Sequence, residues 1–264
     1  MNYPPLAAVI MAGGAGTRFW PVSTERRPKQ FLTLFGDRSL LQLSFDRLAG
    51  LVPPERVFVL TSAAFVPLVR EQLPEVPAAN VVGEPVRRDT AAAVALAALL
   101  VERRCGPTTM AVLTADHLIT PISDFQRALG AAARAAADEP EALYTFGIPP
   151  TFPATGFGYL QRGPLLGREA GVERYALQRF REKPDLETAR GFLASGEFYW
   201  NSGMFVWTTA AILGELRRHL PAHLAALAPA VAAEGTPGAE AALATAFAAL
   251  RPVSIDFGVM EKAA

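Results

Sequence analysis

The stretch LAAVIMAGGAGTR, residues 6–18, joins a short apolar run to a glycine-rich loop. The apolar run predicts a buried strand, because short continuous apolar segments bounded by turn residues are typical of such strands. A glycine-rich loop that leaves a strand can bring backbone N–H groups close to a polyphosphate. Arg18 and Lys29 add two cations near the same loop. This arrangement favours a site for a nucleoside triphosphate.

The two common phosphate-binding motifs do not describe this loop. A Walker A loop continues with Gly-Lys, whereas Thr17 follows Gly16 here. A Rossmann fingerprint that starts at Gly14 needs a third glycine where Phe19 stands. For the glycines alone, a plain turn is the better interpretation. Two further features favour a nucleotide site over a plain turn. They are the Thr-Arg pair that follows the glycines and the segment PKQF at residues 28–31.

Apolar runs and helical patterns alternate through the first half of the chain. The strand candidates are residues 6–11, 56–61, 80–82, 109–114 and 143–147. The helical patterns cover residues 39–51, 63–73, 90–104 and 123–138. Two of these helices open with a capping-box pattern, Ser39 with Gln42 and Ser123 with Gln126. The alternation predicts an α/β fold, a Rossmann-like and mostly parallel sheet flanked by helices on both faces, with ligands at the carboxyl ends of the strands.

The second half of the chain is less regular. Residues 157–161, 172–182 and 198–207 are predicted strands, and residues 185–195 are a predicted helix. The alanine-rich residues 222–250 predict two helices joined by a turn, with a packing role.

Composition and charge exclude some classes of function. The 264 residues are 51% hydrophobic with a formal net charge of zero, which suits one large α/β domain. The neutral balance gives no reason to expect nucleic acid or a membrane as a partner. The single cysteine, Cys105, excludes an internal disulfide and fits a reducing, cytoplasmic compartment. No leader is expected from residues 1–5, and residues 90–101, the longest apolar stretch, are too short to span a bilayer.

Residues 13–32, GGAGTRFWPVSTERRPKQFL, resemble the signature of sugar nucleotidyltransferases, in particular the mannose-1-phosphate guanylyltransferases. The usual text of that family is GGxGTRLWPLSR…PKQF. Six further segments resemble family motifs in the expected order: EPVRRDTA at 84–91, LTADH at 113–117, TGFGY at 155–159, FREKP at 180–184, WNSGMF at 200–205 and SIDFGVMEK at 254–262. The resemblance therefore covers nearly the whole chain and implies one nucleotidyltransferase domain over residues 1–264.

The resemblance implies a nucleotide-binding set and a catalytic pair. The nucleotide-binding set comprises Ala12, Gly13, Gly14, Gly16, Thr17, Glu84, Arg88, Thr90, Ala91 and Asp116, and the catalytic pair is Arg18 and Lys29. Arg18 and Lys29 would stabilise charge on the α-phosphate and the leaving group. Glu84 would recognise guanine, which offers two hydrogen-bond donors to a carboxylate, and Arg88 would contact phosphate or order its loop. From the residues alone, Asp89 or Thr90 caps the following helix.

Asp116 is the candidate metal ligand. Mg²⁺ prefers oxygen ligands and usually takes one or two carboxylates together with substrate phosphates. An isolated aspartate after a strand is more often a turn residue, but the family text LPADH implies that Asp116 holds Mg²⁺. His117 is expected to lie in the loop rather than act as a general base, because a sugar phosphate already carries an anionic oxygen.

The resemblance also implies a sugar-phosphate site within residues 150–262. Gly158 would let the backbone approach the sugar, Glu182 and Asn201 would bind hydroxyl groups, and Lys183 would neutralise the phosphate. By itself, TGFGY is better explained as a tight turn that enters a strand. FREKP alone also fits a surface Glu-Lys pair before a helix, and Pro184 suits either interpretation. Asp256 is expected to hold structure near the sugar site.

The activity that the resemblance implies is transfer of GMP from GTP to mannose 1-phosphate, giving GDP-mannose and pyrophosphate. Two alternatives stay open: the same chemistry on another nucleotide and hexose 1-phosphate, and a non-catalytic subunit that binds nucleotide sugars. Relatives continue with a W-x-D-x-G segment, whose aspartate is the expected second metal ligand, and with a β-helical region. The chain stops at Ala264 before such a segment, so we expect it to carry one of the two metal ligands. Enzymes of this type are often dimers, so the resemblance allows a homodimer.

Overall fold

The computed structural model of the protein describes residues 4–14, 22–24 and 27–263. Within them, the central element is an eight-stranded mixed sheet. Its strands are β1 (Leu6–Met11), β2 (Val57–Ser62), β3 (Val81–Glu84), β4 (Thr109–Thr114), β5 (Tyr144–Ile148), β6 (Tyr159–Glu169), β7 (Val172–Arg181) and β8 (Phe198–Thr208).

Strands β1 to β4 form the parallel part of the sheet, in the order β3-β2-β1-β4. Their sequences are nearly continuous apolar runs, as expected for parallel strands that are covered on both faces. In β1, Ala7 to Ile10 are completely buried. The predicted strands at 6–11 and 109–114 are confirmed with their bounds unchanged.

The remaining strands are antiparallel to their neighbours. Strand β8 pairs with β4, β5 and β6, and β6 pairs with β7. The predicted strand at 143–147 is β5, but it enters the sheet antiparallel to β8 rather than extending the parallel order. The sequence alternation did not reveal this, because an apolar run after a helix has the same pattern in either strand direction.

Helices cover both faces of the sheet. They are α1 (Leu40–Asp46), α2 (Val66–Gln72), α3 (Asp89–Cys105), α4 (Ile122–Asp138), α5 (Leu186–Ser195), α6 (Thr209–His219), α7 (Pro221–Ala232), α8 (Ala239–Ala249) and the short α9 (Glu261–Ala263), together with a π-helical turn at Asp256–Met260. None of the helices in the described ranges is long and apolar enough to cross a membrane.

Alternate residues of β1 belong to two different cores. Ala7 and Val9 pack in a cluster with α3, α6, α7 and α8, whereas Ala8 and Ile10 pack in a cluster with α1, α2 and α4. Successive side chains of a strand point to opposite faces, so each face of the sheet has its own helical layer. The predicted α/β class with helices on both faces is therefore confirmed, and the parallel order holds for β1 to β4.

Three elements of the second half were not predicted. One is α6, which begins after Thr208, whose hydroxyl accepts a 3.0 Å hydrogen bond from the Ala211 N–H. The others are the π-helical turn at Asp256–Met260 and the short α9 that follows it. The two helices expected within 222–250 are present as α7 and α8.

One of the two predicted capping boxes is present. Ser39 Oγ accepts a hydrogen bond from the Gln42 N–H, and Gln42 Oε1 accepts one from the Ser39 N–H. The box predicted at Ser123 is wrong, because α4 follows Pro121 and has no side-chain cap. The Gln126 amide donates instead to the carbonyl oxygens of residues 47 and 49, so a tertiary contact takes the side chain that the local pattern assigned to the cap.

This difference predicts unequal effects of two similar substitutions. Ser39→Ala removes the cap and also the 2.7 Å bond from Ser39 Oγ to Gln72 Oε1, so we expect a loss of about 1 kcal/mol in the free energy of unfolding. Ser123→Ala is the matched control and should change it by no more than about 0.5 kcal/mol. Urea unfolding of both variants measures the difference, and equal losses would contradict the assigned caps.

Candidate active site

Residues predicted to bind the nucleotide lie at one edge of the parallel strands. Ala12 and Gly13 follow β1, Glu84 ends β3, and Asp116 lies just after β4. Parallel strands bring their carboxyl ends to the same edge of a sheet, where ligands of open α/β sheets bind. The topology therefore gathers these residues from distant parts of the chain.

The loop after β1 is fixed by Gln30, a residue that sequence analysis did not single out. Gln30 is buried, and its amide donates 2.8 Å and 3.0 Å hydrogen bonds to the carbonyl oxygens of Ala12 and Gly14. The Thr61 hydroxyl donates a further bond to the Ala12 carbonyl. Because these hydrogen bonds fix the Ala12 and Gly14 carbonyl groups, the first glycines of the loop have a defined position. Gly16, Thr17 and Arg18 lie outside the described residues.

Lys29 and Asp116 form an ion pair, with 2.5 Å between Nζ and Oδ2. The other oxygen of Asp116 lies 3.8 Å from His117 Nε2. Burial lowers the pKa of His117, and the nearby Asp116 charge opposes this effect. The Arg47 guanidinium donates to the His117 carbonyl oxygen and so fixes this loop. The predicted cation and the predicted metal ligand are therefore direct neighbours.

The donor set around Asp116 fits one mode of Mg²⁺ binding. Among the described residues, no group of three or more His, Cys, Asp or Glu side chains is arranged to hold a metal ion. Mg²⁺ commonly uses one or two carboxylates and takes its other ligands from substrate phosphates and water. Asp116, about one-third exposed at the ligand edge, suits that mode.

Glu84 is buried beside the glycine loop. It is 8% exposed, and a Cβ atom added to Gly13 would lie 3.3 Å from Glu84 Oε1. Burial raises the pKa of Glu84 to about 7, while the Arg87 charge lowers it and Asp89 raises it further. The carboxyl group is thus close to the backbone that would hold a nucleotide and has few water contacts.

The start of α3 is bonded to the last part of the chain. Arg88 donates to the Phe247 and Ala248 carbonyl oxygens, at 2.8 Å and 3.2 Å. Arg88 was predicted either to contact phosphate or to order its loop, and these bonds support the second role. The Ala91 N–H donates to the Val253 carbonyl oxygen.

Thr90 and Asp89 do not cap α3 in the way predicted. The Thr90 hydroxyl accepts a 2.8 Å bond from the Ile255 N–H. Asp89 is the first residue of the helix, with a φ of +63°, and its carboxylate accepts from the adjacent Thr90 N–H. A long-range partner replaces the expected cap, which a local pattern does not reveal.

The four predicted sugar-phosphate residues meet where β6, β7 and β8 run side by side. Tyr159 of β6 pairs with both β7 and β8, so its neighbour Gly158 lies beside the end of β7 and the middle of β8. The Asn201 N–H donates to the Gly158 carbonyl oxygen at 2.8 Å, and Lys183 Nζ lies 2.9 Å from Glu182 Oε1. A Cβ atom on Gly158 would lie 2.5 Å from Glu182 Oε2. A side chain at this position would displace the carboxylate from its place beside Gly158.

Lys183 has an uncommon backbone conformation at this junction. Its φ is +43°, in the left-handed region that non-glycine residues seldom adopt. Its N–H donates to the Phe157 carbonyl oxygen. Strained backbone of this kind concentrates at functional sites.

The nucleotide and sugar-phosphate groups of residues lie at the ends of neighbouring strands. Strands β4 and β8 are paired, and a Cβ atom added to Gly203 of β8 would lie 3.8 Å from Thr114 Cγ2 at the end of β4. The Gly203 N–H donates to Asn201 Oδ1 at 3.2 Å, and Asp116 follows two residues after Thr114. The two groups therefore lie on adjacent strands at the same edge of the sheet.

Comparison with known proteins identifies a matching family model and similar sequences and folds. The model of the nucleotidyl transferase family matches residues 7–242. A mannose-1-phosphate guanylyltransferase from Klebsiella pneumoniae is 45% identical over 98% of this chain and 55% of its own length. Another, from Sinorhizobium fredii, is 42% identical over 99% of this chain and 51% of its own length. The chain thus spans about half the length of the curated relatives it matches.

Two solved structures share the fold over 98% of this chain. One, described as a mannose-1-phosphate geranyltransferase from Thermus thermophilus, has a TM-score of 0.83 and 37% identity, with 72% of its chain covered. The other, described as a mannose-6-phosphate isomerase from Helicobacter pylori, has a TM-score of 0.76 and 29% identity, with 94% covered.

Glu84 makes the stability of the protein depend on pH. Its raised pKa means that the fold favours the protonated form. This contribution to stability is complete below the ordinary carboxyl pKa of 4.5 and is lost as the pH rises through about 7. Glu84→Gln is neutral at every pH. We therefore expect the free energy of unfolding of the wild-type protein, relative to Glu84→Gln, to fall over this range in urea titrations. A constant difference would contradict the raised pKa.

Proposed function

Since this chain belongs to the nucleotidyl transferase family, we propose that it transfers GMP from GTP to mannose 1-phosphate, releasing pyrophosphate and forming GDP-mannose. One observation carries the proposal. One ion pair, Lys29 with Asp116, lies just after β4, and a second, Lys183 with Glu182, lies beside Gly158, while β4 and β8 approach each other at Thr114 and Gly203. Two anionic substrates need two cationic positions close together.

In this proposal the glycine loop and Glu84 bind the guanine nucleotide. Guanine presents an N–H and an amino group, both donors, and a carboxylate accepts from both. The contact between Glu84 and Gly13 would bring base and ribose next to the loop. Hydrogen bonds to the charged form lower a carboxyl pKa, so bound guanine would favour ionised Glu84. Gly14, Gly16 and Thr17 would contact the phosphates.

The reaction then depends on positioning and charge stabilisation. A phosphate oxygen of mannose 1-phosphate forms a bond to the α-phosphorus of GTP, and the bond from that phosphorus to the bridging oxygen breaks. Pyrophosphate leaves with the electron pair. The attacking oxygen is already anionic, so no general base is needed.

Charged side chains on the nucleotide side would stabilise this step. Lys29, fixed by Asp116, and Arg18 would face the charge that develops on the α-phosphate and the leaving group. Asp116 would hold Mg²⁺, which when bound would neutralise phosphate charge. When the nucleotide binds, Lys29 would move from Asp116 toward phosphate oxygens, which would free Asp116 to hold Mg²⁺.

The sugar side would position the acceptor substrate. Lys183 would bind the attacking phosphate, and its side chain is 57% exposed while it remains paired with Glu182. Glu182 would accept hydrogen bonds from sugar hydroxyls. All these residues come from one chain, so the proposed reaction does not depend on a homodimer. The homodimer stays a prediction.

A cytoplasmic location is also part of the proposal. The single cysteine supports it, because a chain without disulfides suits a reducing compartment.

Pyrophosphate release tests the proposal directly. Purified protein with Mg²⁺ is given each of GTP, ATP, UTP and dTTP, in combination with mannose 1-phosphate or glucose 1-phosphate. We expect release with GTP and mannose 1-phosphate and much slower release with every other pair. Faster release with another pair would reassign the substrates. Binding of GDP-mannose without any release would contradict transferase activity and favour a non-catalytic binding protein.

Substitution of Gly158 tests the sugar side separately. The added methyl group of Gly158→Ala overlaps Glu182 Oε2 and would displace this carboxylate. We expect the KM for mannose 1-phosphate to rise by about 10-fold or more, the cost of losing one charge-assisted hydrogen bond, with little change for GTP. Gly156→Ala is the matched control, because an added Cβ at Gly156 has nothing within 4 Å. Equal effects of the two variants on this KM would contradict the role of Gly158.

A further inference from the structure

Asp256 is a carboxylate near the sugar-phosphate residues to which the proposed reaction gives no role. It begins the π-helical turn at Asp256–Met260. Asp256 Oδ1 accepts a 2.9 Å hydrogen bond from Asn201 Nδ2. Burial, followed by the Glu182 charge, raises the pKa of Asp256 to about 6, whereas the Asn201 bond and the Lys183 charge lower it. At neutral pH the carboxylate is therefore mostly ionised and acts only as an acceptor.

The carbonyl oxygen of the Asn201 side chain is bonded inside the protein. Asn201 Oδ1 accepts a 3.2 Å bond from the Gly203 N–H. It also lies 3.0 Å from the Thr145 hydroxyl, whose single proton it shares with the Met204 carbonyl oxygen at 3.1 Å. The amide nitrogen has two N–H groups, of which one donates to Asp256. The second N–H has no partner among the described residues and is available to a ligand.

Asp256 and Gly203 together determine which end of the Asn201 amide faces which neighbour. An ionised carboxylate only accepts and requires the nitrogen on its side, whereas the Gly203 N–H only donates and requires the oxygen on its side. Without Asp256, the nitrogen would lose its acceptor, and only the Gly203 N–H would oppose a flip of the amide. Asn201 itself is held next to Gly158 by its backbone N–H, and Gly158 contacts the Glu182 carboxylate. The orientation of the amide is thus set within the sugar-phosphate group.

We propose that Asp256 is a positioning residue for sugar recognition, which holds Asn201 so that an N–H, and not the carbonyl oxygen, is offered to an oxygen acceptor of the hexose 1-phosphate. This inference rests on the proposed function. It adds that Asn201 acts as a hydrogen-bond donor to the sugar phosphate. Glu182 would then accept from one sugar hydroxyl while Asn201 donates to another oxygen. The two side chains together distinguish donor from acceptor positions on the ligand.

The segment around Asp256 is well suited to this role because it is tied to both halves of the site. The Ile255 N–H donates to the Thr90 hydroxyl at the start of α3. Glu261 Oε1 accepts a 3.0 Å bond from the Glu182 N–H. A supporting residue of a binding site needs such fixation, since loosely held partners lose the required geometry.

The first test is a double-mutant cycle on Asn201 and Asp256. KM for mannose 1-phosphate, KM for GTP and kcat are measured for Asn201→Ala, Asp256→Leu and the double variant. We expect Asp256→Leu to raise the KM for mannose 1-phosphate about 10-fold with the KM for GTP within about twofold. The double variant should be no worse than Asn201→Ala, because Asp256 acts through Asn201. Additive effects, or equal changes in both KM values, would overturn the proposal.

Exchange of the two side chains separates an effect on ligand positioning from an effect on protein stability. It also provides a test if Asp256→Leu does not fold. Asn201→Asp with Asp256→Asn keeps a hydrogen bond between the two positions, with the donor now at 256. Position 201 then keeps acceptors for Thr145 and Gly203 but has no N–H for a ligand. We expect the melting temperature and the KM for GTP to be retained and affinity for the sugar phosphate to be lost. Retained affinity would overturn the proposal.

The wild-type assay distinguishes this inference from the proposed function. If another hexose 1-phosphate is the faster substrate, the proposed function is wrong about the sugar. The same mutant cycle is then run with that sugar phosphate. If no pair reacts, the cycle uses the ratio of GDP-mannose affinity to GDP affinity from calorimetry. A ratio unchanged by Asp256→Leu and by the exchange would overturn the role of Asp256, whatever the reaction is.

Discussion

Val112 of β4 pairs with Phe205 of β8, and the antiparallel direction of this pair determines where the second half of the site lies. Because β8 runs opposite to β4, its N-terminal half extends past the carboxyl end of β4, and Asn201 arrives at the edge that holds Asp116. A parallel β8 would have put Asn201 at the opposite edge. The register of β6 with β8, and that of β7 with β6, then bring Gly158 and Glu182 to the same place.

Each half of the candidate site contains one ion pair between a carboxylate and a lysine. Lys29 with Asp116 and Lys183 with Glu182 are partly exposed pairs, and such pairs contribute at most about 1 kcal/mol to stability. Their position is better explained by the ligands they would meet. A lysine held by a carboxylate is already oriented toward the site, so the ordering cost at the moment of binding is smaller.

The sequence predicted the parts of this structure that depend on local pattern. Strand β1, the glycine loop and the capping box at Ser39 follow from apolar runs and turn residues, and the fold class follows from their alternation. The partners of Gln126 and Arg88 did not follow, because these side chains bond to backbone far away in the chain. The direction of β5 was missed because an apolar run has the same pattern in either strand direction. The positions assigned to Gly16, Thr17 and Arg18 stay predictions.

The bonds at the start of α3 also bear on the order in which the protein folds. Arg88 and its partner Phe247 are 159 residues apart, and contacts of such separation form late because the intervening chain must first be ordered. On the ribosome, strands β1 to β4 emerge early, yet the loop that carries Glu84 and Arg88 stays without its anchors until residues 247–255 have been synthesised. The nucleotide side would therefore become rigid among the last parts of the molecule, although it is encoded among the first.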